Sequence, residues 1–225
     1  MNIAMVSRLI WKDWYLNRMG ILASLIGGLT TLALVAAMHA SQIALILGVI
    51  VVVTILIGMG AMVMISAAME RKQQTLPFVM SLPISYLEYT TAKIVGGMMI
   101  FLVLWVALVI EVVAMILLAP GFPHGVIPFV VIMSVEILMS TCLISAVAVT
   151  TESHGWAVAA AQVGAISLNG IGWSIVRLPE IGGNMNSATV RWNGTETAML
   201  AAELALIVLM IVITFFVQAR KKDFI

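Results

Sequence analysis

The most constraining feature of this sequence is the stretch of residues 19–69, which contains no Lys, Arg, Asp or Glu. A single α-helix of that length rises about 1.5 Å per residue and would exceed the ~30 Å hydrocarbon core of a bilayer more than twofold. We therefore predict two membrane spans, at residues 19–38 and 43–68. The polar residues 39–42 form the predicted turn between them.

The composition of the whole chain agrees with a membrane protein. Of its 225 residues, 63% are hydrophobic and only 9% are charged, whereas a soluble globular chain carries roughly 25% charged residues. The net charge of +1 argues against a nucleic-acid binder. Cys142 is the single cysteine, which excludes a disulfide framework and a cysteine-based metal site within one chain.

Four further apolar segments complete the predicted architecture. They are residues 94–119, 127–150, 156–176 and 198–217. Pro and Gly residues at 120–125, a short break at 152–155 and a polar loop at 177–197 separate them. The predicted fold is an all-α polytopic membrane protein with about six spans, in which residues 1–225 form one transmembrane domain.

The basic residues predict the orientation of these spans. Of the eleven Lys and Arg residues, nine fall on one side of the membrane in the predicted topology, and Arg177 and Arg191 fall on the other. By the positive-inside rule, the side with nine is cytoplasmic. Both termini are then cytoplasmic and the loop of residues 177–197 is external. The nine are Arg8, Lys12, Arg18, Arg71, Lys72, Lys93, Arg220, Lys221 and Lys222.

The longest cytoplasmic connection, residues 70–93, carries a short predicted helix. Thr75 can cap it, Pro77 suits its first turn, and Pro83 stops it after about two turns. Ser85 and Glu88 form a capping box that starts the helix leading into span three. The short helix is too apolar for a solvated loop, so we expect it to rest in a cleft of another protein or in the lipid headgroups.

The pattern of apolar and basic residues at positions 1–18 predicts an amphipathic helix that lies in the cytoplasmic interface of the membrane. Its apolar stripe has helical spacing, with Arg8 and Lys12 roughly opposite, while Leu9 and Asp13 depart from the pattern. The stripe consists of Ile3, Val6, Ile10 and Trp14.

Several short blocks along the chain resemble the permease subunits of type-2 ATP-binding-cassette (ABC) exporters. The blocks are Trp-Lys-Asp-Trp-Tyr-Leu-Asn-Arg at 11–18, Glu-Arg-Lys at 70–72, Thr-Leu at 75–76, Ser-Leu-Pro-Ile-Ser at 81–85, and Lys93. That family has six spans, a cytosolic amphipathic start, a coupling helix between spans two and three, and a large external loop before span six. The resemblance thus covers essentially the whole chain.

The resemblance implies that residues 75–82 seat in a groove of a separate cytoplasmic ATPase subunit. ATP and magnesium would bind in that partner, so we expect no directly bound cofactor, no metal and no enzymatic activity in this chain. The sequence agrees, because no lysine in it is followed by the Ser or Thr of a phosphate-binding loop. The implied coupling residues are Glu70, Arg71, Thr75, Leu76, Phe78, Met80, Ser81, Leu82 and Pro83.

The resemblance also implies a dimer with a second copy or a similar permease, surrounded by lipid in the inner (plasma) membrane of a bacterium. The expected function is export of a peptide, drug-like or lipid-like substrate by alternating access. The alternatives are a stand-alone channel or sensor, and an intramembrane enzyme. The enzyme reading is weakened because the sequence shows none of the usual paired catalytic arrangements.

Three glutamates inside spans are candidates for the translocation path. Glu111, Glu136 and Glu203 are predicted at similar depths in the outer half of the bilayer. Buried carboxyl groups in membranes usually face the bundle interior or a cavity, where ionised groups would attract a cationic substrate. The alternative is that each hydrogen-bonds to a neighbouring span and holds the helices together.

Overall fold

The computed structural model describes residues 3–38, 42–72, 86–118 and 122–220, with side chains at 3–38, 48–63, 87–118 and 122–220. Within these residues, helices are the only regular secondary structure. The helices are α1 (Ile3–Ala37), α2 (Gln42–Lys72), α3 (Tyr86–Leu118), α4 (Ile127–Thr151), α5 (His154–Arg177), the short α6 (Pro179–Gly182) and α7 (Gly194–Arg220), with a 3-10 turn at His124–Val126 before α4.

Five of the described helices are long and apolar enough to cross a membrane: α1, α3, α4, α5 and α7. The predicted all-α architecture is therefore confirmed for the described residues, with five helices that are candidates for membrane spans. In α2, the apolar part with described side chains, Gly48–Val63, is shorter. Six spans thus remain a prediction.

Helices α1 and α3 run parallel and lie side by side. Near their starts, the side chain of Ile10 packs against Gly96; further along, a Cβ atom added to Gly28 would overlap a methyl group of Leu108. These contacts follow each other in the same order along both helices. The small residues Gly28 and Gly96 let the two helices approach closely.

Helix α2 runs antiparallel to α1. Gly48, near the start of α2, lies against Val35 near the end of α1, whereas Met59 lies against Gly20, more than four turns earlier in α1. The chain therefore rises along α1, returns along α2 and rises again along α3. Helices α2 and α3 both pack on α4, around a core that contains Phe101, Leu104 and Ile137.

The last two long helices pack against α4 from other sides. The Ser140 hydroxyl of α4 donates to the Gly164 carbonyl of α5 over 3.4 Å. The Gln218 amide of α7 donates to the Val149 carbonyl near the end of α4. Helices α4 and α7 consequently end together, at the same end of the bundle as the starts of α1 and α3.

The charges of the described residues separate along the bundle. The basic end, formed by the starts of α1 and α3 and the end of α7, carries Arg8, Lys12, Arg18, Lys93 and Arg220. The opposite, loop end carries Arg177 and Arg191. This is the segregation that the sequence predicts, and polar groups gathered at the two ends suit a bundle whose middle lies in hydrocarbon.

Two boundaries differ from the sequence prediction. Helix α1 runs without a break from Ile3 to Ala37, so residues 3–18 continue directly into the predicted first span. Neither proline nor a polar turn interrupts the sequence near Arg18, and nothing there favours ending the helix. The predicted loop of residues 177–197 contains α6, and α7 begins at Gly194.

Asn193 explains the early start of α7. Its side-chain oxygen accepts a bond from the Glu196 N–H over 2.8 Å, and its own N–H donates to the Glu196 carboxylate over 2.9 Å. This is a reciprocal capping box. An Asn followed three residues later by Glu is the sequence signal for it.

Candidate functional site

A buried ion pair joins the two parallel helices near the basic end. The Lys93 ammonium group on α3 lies 2.8 Å from the carboxylate of Asp13 on α1. Only 4% of the Lys93 side chain and 14% of the Asp13 side chain are exposed. A charge pair this far from solvent is constrained in geometry, because either charge alone would be costly to bury.

The residues around this pair hold α1 in position against α3. Ile10 packs on Gly96, one turn from Asp13 on α1 and one turn from Lys93 on α3. The Asn17 amide donates to the Asp13 carbonyl over 2.8 Å. Lys12 lies 3.7 Å from the Asp13 carboxylate but is 42% exposed, so it contributes less. The first part of α1 and the start of α3 therefore form one unit.

This unit adjoins the predicted coupling segment. Helix α3 is described from Tyr86 onwards, and Ser85 of the predicted capping box lies outside the described residues. Glu70 and Arg71 belong to the end of α2, but their side chains lie outside the described residues. The remaining predicted coupling residues also lie outside the described part of the chain. They are Thr75, Leu76, Phe78, Met80, Ser81, Leu82 and Pro83.

Two of the three intramembrane glutamates come together in the bundle. Glu136 on α4 is fully buried and Glu203 on α7 is 5% exposed, and their carboxyl groups are close enough to interact electrostatically. The Ser167 hydroxyl on α5 donates to one Glu136 oxygen over 2.7 Å. Glu136 thus connects α4 to α5 and lies near Glu203 of α7, which packs against α4.

Part of this acidic pair lacks a hydrogen-bond partner. Among the described residues, one oxygen each of Glu136 and Glu203 is buried without one. The bond from Ser167 fits the alternative in which Glu136 holds neighbouring helices together.

Glu111 lies apart from that pair. It follows Leu108 by one turn, on the side of α3 that packs along α1. It is partly buried, and one of its carboxyl oxygens has no hydrogen-bond partner among the described residues. The structure therefore does not gather the three glutamates into one site, although all three lie towards the loop end of their helices.

The loop at the far end is held to the helices by several bonds. The Gly125 N–H donates to the Ser187 carbonyl over 2.9 Å. The Asn193 amide donates to the Glu180 carbonyl over 3.0 Å, and the Thr195 hydroxyl donates to the Glu180 carboxylate. Residues 178–193 therefore form an ordered cap over the loop end.

Sequence reasoning missed two members of these sites. Asp13 departs from the amphipathic pattern of α1. The fold explains this departure, because it brings Lys93 of α3 next to Asp13. Ser167 gave no signal beyond being a hydroxyl residue in an apolar span. Among the described residues, no cluster of His, Cys, Asp and Glu could hold a metal ion, and Cys142 is a buried free thiol.

The fold and these sites define an all-α protein with membrane-crossing helices, an internal acidic pair and a buried ion pair near its basic end. Comparisons with protein-family models, with curated proteins and with solved structures found no match to this chain.

Proposed function

We propose that this chain is the membrane subunit of an ATP-driven exporter of the type-2 ABC class. The observation that carries the proposal is the buried pair of Asp13 and Lys93. It locks α1 to the start of α3, directly after the segment that would dock on an ATPase. A push on that segment would therefore move α1 and α3 together.

Six spans are part of the proposal, and the course of α2 supports them. Because α1 and α3 run parallel, the chain must return between their opposite ends. Helix α2 does so in contact with residues of α1 that lie inside a candidate span. With α2 as a span, the start of α1 and the end of α7 share the basic end, which the positive-inside rule makes cytoplasmic.

The proposed assembly has two permease chains, identical or similar, each with a cytoplasmic ATPase that binds ATP and magnesium. Residues 70–93 would couple each ATPase to its membrane subunit. The cargo would be a peptide, a drug-like molecule or a lipid-like molecule, leaving the cell across the plasma membrane of a bacterium. The ordered cap at residues 178–193 would cover the external end of the path.

Two charge substitutions in the coupling segment test this docking. Leu76→Asp with Phe78→Asp should abolish the ATP hydrolysis that co-purifies with the tagged chain, because charges cannot enter an apolar groove without a large desolvation cost. Gln73→Asp with Gln74→Asp is the matched control, with the same added charge at polar positions of the same segment. ATP hydrolysis that is absent from the unmodified chain, or unchanged in the first variant, would favour a stand-alone channel or sensor.

A further inference from the structure

An elongated cavity of about 270 Å³ lies inside the bundle, bordered by α1, α2, α3, α4 and α5. This apolar slot is distinct from the acidic pair and from the Asp13–Lys93 contact. Its walls include Val35, Val52, Leu108, Val112, Phe129 and Ile137.

The slot offers no free polar group along its described walls. Ser134 is the one polar residue among them. Its hydroxyl donates to the Val130 carbonyl over 2.6 Å, and its carbonyl accepts from the Trp105 indole over 2.7 Å. A buried water needs two to four polar partners, so the slot does not suit water. A cavity this large left empty would deprive its walls of dispersion contacts.

The length of the slot matches one leaflet of a bilayer. Along α4 and the residue before it, the walls extend from Val126 to Ile137, which at 1.5 Å per residue is about 16 Å. The hydrocarbon core is ~30 Å thick, so one leaflet contributes about half of that. The slot starts near the loop end and reaches mid-bundle, where Ile137 and Leu168 also line a second, much smaller cavity beside Ser140.

The slot has a side opening towards the surrounding lipid. Val49 on α2 lines it and is 60% exposed, whereas Val52 and Leu56, one and two turns deeper, are buried. Val49 follows Gly48, which lies against Val35 near the loop end of α1. The opening is thus at the depth where lipid chains of the leaflet on the loop-end side begin.

We propose that the apolar slot binds a single acyl chain of an amphiphile that enters from this leaflet. The unbroken apolar lining, the leaflet-length shape and the opening at Val49 together select an extended hydrocarbon chain, with its headgroup left in the interface. The amphiphile is a phospholipid of this leaflet, because the opening at Val49 faces the surrounding lipid. Binding at the slot needs no ATPase partner, so its success or failure is independent of the exporter proposal.

Photolabelling with a phosphatidylcholine that carries a diazirine in its acyl chain tests the slot. The protein is placed in phosphatidylcholine nanodiscs, illuminated and digested, and the labelled residues are identified by mass spectrometry. We expect labels concentrated on slot residues such as Met115 and Met133. Labels spread evenly over the exposed faces of α5 and α7, with none in the slot, would overturn the proposal.

Two filling variants from different walls sharpen the test. Val52→Phe and Val112→Phe should each reduce slot labelling by about tenfold or more. The larger side chain excludes part of the acyl chain, and losing one methylene from a close-fitting apolar site weakens binding by roughly tenfold. Val51→Phe and Val106→Phe are matched controls, since these valines are 40% and 43% exposed on the same helices. Equal slot labelling in all four variants would contradict the proposal. If the filling variants do not fold, the distribution of labels on the unmodified protein decides.

Native mass spectrometry of the protein extracted in mild detergent identifies the natural occupant. A retained phospholipid mass would support membrane lipid as the occupant, and a different acylated mass would overturn it in favour of cargo. Loss of either adduct in Val52→Phe, with retention in Val51→Phe, would locate it in the slot. An unmodified protein that retains no amphiphile would count against the proposal.

Discussion

Lys93 donates to the carboxylate of Asp13 across 2.8 Å, although the two residues are 80 positions apart in the chain. Their pairing fixes the register of α1 against α3 at the basic end. The same register places Gly28 against Leu108 further along the two helices. One polar contact and one apolar contact therefore define the same parallel arrangement.

Removing one member of this pair should destabilise the protein strongly. Asp13→Leu or Lys93→Met should each lower the free energy of unfolding by about 3–5 kcal/mol, because each removes the nearest opposite charge from a charged group in a poorly solvated site. The double variant should lose much less than the sum of the single losses. Thermal unfolding in detergent, monitored by the amount of folded protein that elutes from a size-exclusion column, measures these losses of stability. Lys12→Met is the control, with an expected change below about 1 kcal/mol; single variants as mild as this control would contradict the role of the pair.

Close packing of α1 on α3 makes a second prediction. Gly28→Ala should cost about 1–3 kcal/mol, because the added methyl group overlaps a methyl group of the buried Leu108, whose side chain must shift to make room. Gly58→Ala is the matched control, since nothing lies within 4 Å of a Cβ atom there. Thermal unfolding of the two variants under the same conditions measures the difference. Equal stability of the two would mean that α1 and α3 are not packed in this register.

The bond between α4 and α5 gives a third prediction. Ser167→Ala removes the donor to Glu136 and should cost about 1–3 kcal/mol, the usual penalty for leaving a buried polar atom unpaired. Ser174→Ala on the same helix is the control, because its exposed hydroxyl bonds only to the Gly170 carbonyl one turn before it. We expect a change within about 0.5 kcal/mol there. A Ser167→Ala protein as stable as the control would show that Glu136 does not depend on this bond.

The sequence predicted the helical segments well because hydropathy reports directly on them. The predicted spans at 94–119, 127–150 and 156–176 lie close to the apolar parts of α3, α4 and α5. The sequence predicts an interfacial helix at residues 1–18 and a span from residue 19, and the structure shows one helix that continues past Arg18, from Ile3 to Ala37. Charge at that point predicts where the helix leaves the membrane, but backbone chemistry decides whether the helix continues, and nothing near Arg18 stops it.

The contacts between helices could not be predicted in the same way. Hydropathy placed Glu136 and Glu203 at similar depths but carried no information about which faces meet. Every span is apolar around most of its circumference, so periodicity does not mark a buried side. The Asp13–Lys93 pair depends on α1 and α3 being parallel neighbours, which is a property of the assembled bundle. The apolar slot likewise arises from five helices together.

The number of spans makes a prediction that cysteine labelling can check. With six spans, the start of α1 and the end of α7 lie on the cytoplasmic side. A membrane-impermeant maleimide should then label Ala188→Cys in intact cells, and Ser7→Cys and Ala219→Cys only after permeabilisation. All three positions are exposed, whereas Cys142 is buried and gives little background. Labelling of Ser7→Cys and Ala219→Cys from opposite sides would mean an odd number of spans.

The most direct test of the exporter proposal is to extract the tagged chain from its native membrane in mild detergent and identify the proteins that co-purify by mass spectrometry. The proposal predicts an ATPase with a phosphate-binding loop, in a fixed ratio to this chain. Its reproducible absence from an intact, dimeric preparation would contradict the proposal and leave a stand-alone membrane protein.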